Sequence, residues 1–130
     1  MNDKSNATRA SASPYDLRLR ARDYALRIIS LYGALPRITK AQVLGTQLLR
    51  KGTSVAALYR EAHRAKSNAD FDSKLDGVIG ELDESDLWLD LIVTSGIMKA
   101  ARLQPPIRET QERIAIFVAP CERVKNKRRK

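Results

Sequence analysis

The residue types that most often carry out catalysis are few and scattered in this chain. The single histidine, His63, lies in the segment REAHRAK, and the single cysteine, Cys121, has no base beside it in the sequence. A hydrolytic zinc site uses several histidine or acidic ligands on facing elements, and a di-iron bundle carries Glu-x-x-His on two helices. The six glycines are scattered and form no phosphate-binding loop. We therefore expect no enzymatic activity, no metal and no cofactor.

Acidic residues are concentrated in one segment of the chain. Its central members are Asp83, Glu84, Asp86 and Asp90. Paired carboxylates can serve as acid and base when their environments differ. Here they alternate with apolar residues, which is more typical of ion pairs between helices or subunits. We expect Glu81 and Glu84 to pair with basic residues of the preceding helix, and the candidates there are Arg60 and Arg64.

The net charge of the 130-residue chain is +9, and it is unevenly distributed. Residues 1–69 contain 13 basic against 4 acidic residues, residues 70–98 contain 1 against 8, and residues 99–130 contain 10 against 3. An acidic segment between two basic segments suits pairing within the bundle, docking of subunits, or a basic face that binds polyanions.

Two groups of basic residues are candidate contacts for nucleic-acid phosphates. The first group, on the second predicted helix, consists of Arg50, Lys51, Arg60, Arg64 and Lys66. The second group, at the C-terminus, includes Lys125, Lys127, Arg128, Arg129 and Lys130. Aromatic residues for base stacking make up only 5% of the chain, so the pattern favours backbone or shape contacts over sequence reading. The alternative is a solvated basic surface with a disordered tail.

Apolar residues recur at alternating steps of three and four, which predicts four amphipathic helices. The first follows Pro14 and ends at Pro36; the second runs from about Ile38 to Lys66 with Thr39 as its N-cap. The third begins after a break at 67–70 and ends near 95–96. The fourth starts near Pro106 and is kinked or ended by Pro120. Short connections predict an all-α, antiparallel up-down-up-down four-helix bundle.

This pattern divides the chain into a disordered leader at 1–14, the bundle at 15–121 and a basic tail at 122–130. The segment before the first helix lacks the apolar core of a signal peptide, and no apolar run approaches the ~20 residues that span a bilayer. With a single cysteine, these features predict a protein of the reducing cytoplasm that has no contact with membranes.

Gly52 lies on the inward stripe of the second helix. Glycine inside a helix costs ~1 kcal/mol relative to alanine, so its presence suggests the close approach of another backbone. The alternative is a weak point or a kink in the helix.

The third helix has a wider apolar face than one bundle core needs. Leu87, Trp88 and Leu91 widen this face, and Asp83 and Asp90 border it. A wide apolar face suits burial against another subunit. We expect these five residues to lie in an interface where the acidic helix meets a basic surface of a neighbouring copy.

Three stretches of sequence carry a family resemblance. LLRKGTSVAALYREAHRAKSNADFDSKL (48–75) and GELDESDLWLDLI (80–92), supported by LRLRARDYALRIISLYGALP (17–36), resemble bacterial four-helix-bundle proteins encoded by intervening sequences of large-subunit ribosomal RNA genes. The resemblance covers roughly residues 15–117. The chain departs from the family at Leu58, where asparagine is usual, and at Gly80, where lysine is expected.

The resemblance implies a bundle that assembles as a homopentameric barrel. The chain is also similar, more remotely, to basic pentameric accessory proteins of diversity-generating retroelements, which associate with a reverse transcriptase and with nucleic acid. No catalytic residue and no established molecular role come with the family.

Two functional hypotheses follow. The first is a homo-oligomer that binds nucleic acid, RNA or DNA, with structured RNA favoured. The second is a scaffold that binds another protein, such as a reverse transcriptase. Binding of nucleic acid should weaken steeply with salt, whereas an apolar protein contact should not.

Overall fold

The computed structural model describes the backbone of residues 14–129 and the side chains of residues 16–118. This part of the chain contains four helices and no strand: α1 Pro14–Ala34, α2 Thr39–His63, α3 Asn68–Thr94 and α4 Ala100–Arg129. The predicted all-α class is confirmed.

The helices form a ring in which neighbours in sequence are neighbours in space. Helix α1 packs on α2, α2 on α3 and α3 on α4, and α4 closes the ring against α1 through a sparser seam. Helices α1 and α2 are antiparallel, because Gly45 lies against Leu35 and Gly52 against Ile28. Helices α2 and α3 are antiparallel as well, because Lys51 pairs with Glu81 and Glu61 pairs with Lys74 at 3.1 Å. The same holds for α1 and α4, where Tyr24 bonds to Thr110 and Arg27 pairs with Glu109 at 2.9 Å. The architecture is therefore consistent with the predicted up-down-up-down bundle.

The core is built from the inward stripes that the sequence predicts. Tyr24, Ile28, Tyr59, Leu82 and Phe117 are fully buried. A few predicted core positions are only partly buried and lie at the edges of the stripes: Leu31, Leu44, Phe71, Ile107 and Ile114. Cys121 and Val124, the last predicted core positions of α4, lie outside the described side chains.

One hydrogen-bonded chain crosses this apolar core. The hydroxyl of Thr110 donates to the carbonyl of Pro106 at 2.7 Å, so the Tyr24 hydroxyl is the donor in its 2.7 Å bond to Thr110 Oγ1. Burial raises the pKa of Tyr24 to about 12 and keeps the phenol neutral. The bond ties α1 to α4 across their sparse seam, and a buried polar pair of this kind helps to fix the register of two helices.

Close packing at Gly52 is confirmed, although a side chain and not a backbone makes the approach. A Cβ atom at Gly52 would lie 2.8 Å from Cγ1 and from Cγ2 of Ile28. Gly52 therefore lets α1 and α2 approach each other more closely than alanine would allow.

Several helix ends differ from the prediction. Ile38, not Thr39, is the N-cap of α2, and no side chain caps this end. Helix α4 begins at Ala100 and not near Pro106, and it continues past Pro120 to Arg129. The early start follows from packing, since Leu103 in the first turn is fully buried.

The C-terminal end of α3 agrees with the predicted break near 95–96, whereas its N-terminus lies inside the predicted break at 67–70, because the helix begins at Asn68. The Ser67 side chain accepts a hydrogen bond from the Asp70 N–H at 3.1 Å and caps the N-terminus. Gly96 adopts a φ of +75° just after the last turn, a left-handed conformation that glycine tolerates best. Among the described helices, none has a stretch long and apolar enough to cross a membrane.

Candidate nucleic-acid interface

Four of the five basic residues predicted on the second helix segment have exposed and unpaired side chains. They are Arg50, Arg60, Arg64 and Lys66. Within residues 16–118, none of these side chains has a carboxylate within 4 Å. Their charges are therefore open to solvent and available to an external anion.

Lys51, the fifth member, has a different environment. Its Nζ lies 3.5 Å from a carboxylate oxygen of Glu81 and 3.3 Å from one of Glu84. The hydrogen bond to Glu84 and the charge of Glu81 raise the pKa of Lys51. The positive charge of Lys51 is thus balanced within the bundle, which leaves it less available to phosphate.

The predicted pairing of Glu81 and Glu84 with Arg60 or Arg64 is therefore wrong. In the α2–α3 hairpin, Lys51 lies opposite Glu81, whereas position 61 lies opposite Lys74. Nine residues separate positions 51 and 60, which is about 14 Å along the helix axis at 1.5 Å per residue. The arginines consequently lie near the turn and out of reach of these carboxylates.

Of the four unpaired cations predicted on this segment, three lie at the end of the bundle that carries the α2–α3 turn. Arg60, Arg64 and Lys66 lie at or beside this turn. The ring centroids of Tyr59 and Phe117 are 5.3 Å apart, so the later part of α4, which continues to Arg129, is directed toward the same end. Four of the predicted C-terminal contacts belong to this segment, but their side chains lie outside the described residues: Lys125, Lys127, Arg128 and Arg129. Lys130 lies outside the described part of the chain.

His63 lies at the same end of the bundle, and its side chain is exposed. Its ring centroid is 6.5 Å from that of Tyr59. Within the described part of the chain, no group of three or more histidine, cysteine or acidic residues is arranged to hold a metal ion. His63 therefore adds at most a hydrogen-bond donor to the basic end.

The outer face of α3 is both apolar and acidic. Leu87 is 49% exposed and Leu91 is 37% exposed, and Asp83 and Asp90 beside them are exposed as well. We call these four residues the α3 face. Trp88, which the sequence groups with them, is half-buried against the core of its own bundle.

Asp86 lies beside this acidic group and is partly buried. Its partial burial, with the nearby charges of Asp83 and Asp90, raises the pKa of Asp86. The carboxylates of α3 therefore repel one another, and a cation placed against them would relieve that repulsion.

The outer face of α1 is apolar and basic, and the sequence analysis missed it. Leu19 is 39% exposed, Leu26 and Ile29 are each 47% exposed, and Arg22 lies among them. We call these four residues the α1 face. The sequence does contain a pattern that indicates this face, because three large apolar residues that lie off the core stripe share one side of the helix.

The α1 and α3 faces lie on opposite sides of the bundle, because α1 and α3 are diagonal in the ring. Both faces are apolar. The α1 face carries Arg22, whose guanidinium lies 3.9 Å from the carboxylate of the adjacent Asp23, and the α3 face carries two carboxylates.

These features define a class: a small, basic, all-helical bundle with a cationic end and two complementary outer faces. The profile of the 23S rRNA-intervening sequence protein family matches residues 15–118. The chain belongs to this family, and the resemblance drawn from residues 17–36, 48–75 and 80–92 is confirmed.

A solved relative supports the same assignment. The crystal structure at 1.70 Å of a protein of unknown function from the S23 ribosomal protein family of Bacteroides thetaiotaomicron is 28% identical to this chain. The match has a TM-score of 0.78 and covers 84% of this chain and 97% of that one. No curated protein matches the chain significantly.

Proposed function

We propose that this chain is a non-enzymatic, homo-oligomeric protein of the cytoplasm that binds nucleic acid, with structured RNA as the favoured ligand over DNA. The observation that carries the proposal is the group of exposed cations without acidic partners at the end of the bundle that carries the α2–α3 turn. The single cysteine of the chain supports the reducing compartment.

The unpaired cations bind phosphates by an electrostatic mechanism. Arg50, Arg60, Arg64 and Lys66 are exposed and have no carboxylate within 4 Å among the described residues. Each phosphate contact contributes about 0.7 to 0.9 to the slope of log affinity against log salt. Four contacts in one subunit thus give a slope of about −3 to −4, and further contacts from the C-terminal segment make it steeper.

The oligomer extends the binding surface. The α1 face of one copy packs on the α3 face of the next, which buries Leu26 and Leu87 and brings Arg22 toward Asp83 and Asp90. The family resemblance implies five copies. Repetition of the cationic end around such a ring makes weak contacts act together, since linked sites bind at high effective concentration.

Fluorescence anisotropy of a labelled, structured RNA titrated across a salt series tests the nucleic-acid proposal. The variant Arg60→Gln removes an unpaired charge and should weaken binding and flatten the salt slope by roughly 0.7 to 0.9 per subunit that contacts the RNA. The variant Lys51→Gln removes a charge that Glu81 and Glu84 already balance. It is the matched control and should change the salt slope much less. Equal effects of the two variants, or no binding of the RNA at low salt, would refute the proposal.

Sedimentation velocity at micromolar concentration tests the oligomer separately. The wild-type chain should sediment well above its monomeric mass of 14.6 kDa. Leu87→Glu on the α3 face should dissociate the oligomer, whereas Val43→Glu, at an exposed apolar position outside both faces, should not. A monomeric wild type would refute the proposed assembly without bearing on RNA binding.

The exposed apolar faces support a second candidate function, a scaffold that binds another protein. Retroelement accessory proteins, to which the chain is remotely similar, suggest a reverse transcriptase as the kind of partner. An apolar contact depends little on salt, so a partner that stays bound at high salt and is lost in Leu26→Glu would favour this function over nucleic-acid binding.

A further inference from the structure

A cleft of about 590 Å³ opens along the seam between α1 and α4. The C-terminal half of α1 forms one wall and the N-terminal half of α4 forms the other. The charged residues that line it are Arg27, Arg102, Arg108, Glu109, Glu112 and Arg113. We call this site the α1–α4 cleft. It is separate from the cationic end, because it lies toward the opposite end of the bundle.

The charges of the α1–α4 cleft do not cancel. Glu109 holds Arg27 at 2.9 Å and Arg113 at 3.0 Å, and Glu112 holds Arg113 at 2.9 Å. Both carboxylates are therefore already engaged. Arg102 and Arg108 are exposed and have no carboxylate within 4 Å among residues 16–118. The cleft thus has two guanidinium groups in excess.

Arg113 is a fixed cation in the wall of the cleft. The residue is only 7% exposed, and Glu109 and Glu112 hold its two terminal nitrogens. Its Nε has no hydrogen-bond partner in the described part of the chain, but this atom is buried and exposes no surface to the cleft. The positive charge that a ligand can reach is therefore that of Arg102 and Arg108.

The remaining lining of the cleft is apolar apart from Ser30. Leu31 and Ala34 of α1 face Pro105 and Pro106 of α4 across it. Guanidinium groups recognise phosphate through paired hydrogen bonds, and rigid apolar surfaces suit the flat face of a base. The volume lies within the range usual for small-molecule sites. We propose that the α1–α4 cleft binds the phosphate group of a nucleotide, with Arg102 and Arg108 as its principal ligands.

The phosphate can come from a free nucleotide or from the 5′ end of an RNA strand. The second source rests on the proposed RNA binding, whereas the first does not. Failure of the proposal for the cleft can be distinguished from failure of the proposal for the cationic end, because the two sites lie at opposite ends of the bundle and can be altered independently.

Isothermal titration calorimetry of the full chain with AMP tests the proposal. The double variant Arg102→Gln/Arg108→Gln should lower the affinity for AMP at least tenfold. The double variant Arg60→Gln/Arg64→Gln removes the same number of charges from the cationic end and is the matched control. Circular dichroism melts verify that both variants fold, which is expected because all four side chains are exposed and unpaired.

A second measurement identifies the source of the phosphate. The affinity of the protein for a single-stranded RNA carrying a 5′-phosphate is compared with that for the same RNA carrying a 5′-hydroxyl. A preference for the phosphorylated strand that disappears in Arg102→Gln/Arg108→Gln assigns the cleft to strand ends. Equal affinity for the two strands, with AMP binding retained, assigns it to a free nucleotide.

The proposal is overturned if AMP produces no binding heat with the wild-type protein and the two strands also bind equally. It is likewise overturned if the two double variants weaken AMP binding equally, because that outcome means that diffuse positive charge, and not the cleft, attracts the ligand. Loss of RNA binding in Arg60→Gln/Arg64→Gln alone would support the cationic end and leave the result for the cleft unaffected.

Discussion

Gly52 provides the sharpest test of how α1 and α2 pack. In Gly52→Ala, the new Cβ would lie 2.8 Å from Cγ1 and Cγ2 of Ile28, whereas carbon atoms pack best at about 3.5–4.0 Å. Ile28 is fully buried, and its branched Cβ limits the rotamers that it can adopt. The overlap must therefore be relieved by moving the two helices apart.

Two opposing contributions determine how much Gly52→Ala changes the free energy of unfolding. Overpacking of a well-packed core costs about 1–3 kcal/mol. Replacing glycine by alanine inside a helix contributes about 1 kcal/mol in the favourable direction. The net change for Gly52→Ala is thus a loss of about 0–2 kcal/mol in the free energy of unfolding.

Gly80→Ala is the matched control. Gly80 also lies inside a helix, but a Cβ there would have no atom within 4 Å. Only the helix-propensity term applies, so Gly80→Ala should raise the free energy of unfolding by up to about 1 kcal/mol. The difference between the two variants, about 1–3 kcal/mol, isolates the overpacking cost.

Urea denaturation followed by circular dichroism, at one fixed protein concentration, measures these changes. The clash can be confirmed in an Ile28→Ala background, which lacks the two Cγ atoms. Only the 3.0 Å approach to Cβ of residue 28 remains in that background, so adding Gly52→Ala should cost less stability there than in the wild type. The reasoning is wrong if Gly52→Ala and Gly80→Ala stabilise the protein equally, or if Ile28→Ala does not reduce the cost of Gly52→Ala.

Three further predictions concern buried or repelling polar groups. Tyr24→Phe should lower the free energy of unfolding by about 1 kcal/mol because it removes a buried hydrogen bond. Tyr59→Phe should not lower it, since the Tyr59 hydroxyl has no partner among the described residues. Urea denaturation of both variants measures the difference. Burial raises the pKa of each tyrosine to about 12 from 10.0, so the folded state holds these protons longer than the unfolded state and stability should fall as pH rises from about 10 to about 12. Between about pH 10 and about pH 12 the free energy of unfolding should fall less steeply with pH in Tyr59→Phe than in the wild type. An equally steep fall in both proteins would contradict this prediction. The raised pKa of Asp86 means that its ionised form destabilises the fold, so Asp86→Asn should stabilise the protein at pH 7 and lose this advantage below about pH 4, where the aspartate is protonated in both states.

The periodicity of the apolar residues predicted the core because burial in a bundle repeats with the helical turn. Tyr24, Val55, Leu82 and Phe117 lie on their predicted stripes, and each is fully buried. This part of the fold depends on local spacing alone, which a sequence displays directly.

The start of α4 could not be predicted in the same way. Pro105 and Pro106 indicate a helix start, because proline has no N–H to donate within a helix. In the structure the helix begins before them, at Ala100, and Leu103 in that turn is fully buried. Tertiary packing thus outweighs the hydrogen bonds lost at the two prolines, and this balance is not visible in the sequence.

The candidate sites were harder to predict than the start of α4, because they are formed by contacts between residues that are distant in the sequence. The sequence singles out the basic residues of the second helix segment as candidate contacts, but only the register of the hairpin reveals that Lys51 is paired and Arg60 is not. The α1–α4 cleft joins residues about 75 positions apart, such as Arg27 and Arg102. No local pattern predicts such a pairing.

The order of the helices in the ring also bears on how the chain folds. Three of the four seams join helices that follow each other in sequence, so they form by closing short loops. The α1–α4 seam requires the two ends of the bundle sequence to meet, and the entropy lost on closing a loop increases with its length. Proteins whose contacts are mostly local in sequence fold quickly. We therefore expect the sparse seam to complete the bundle, with the Tyr24–Thr110 hydrogen bond forming after the other three seams.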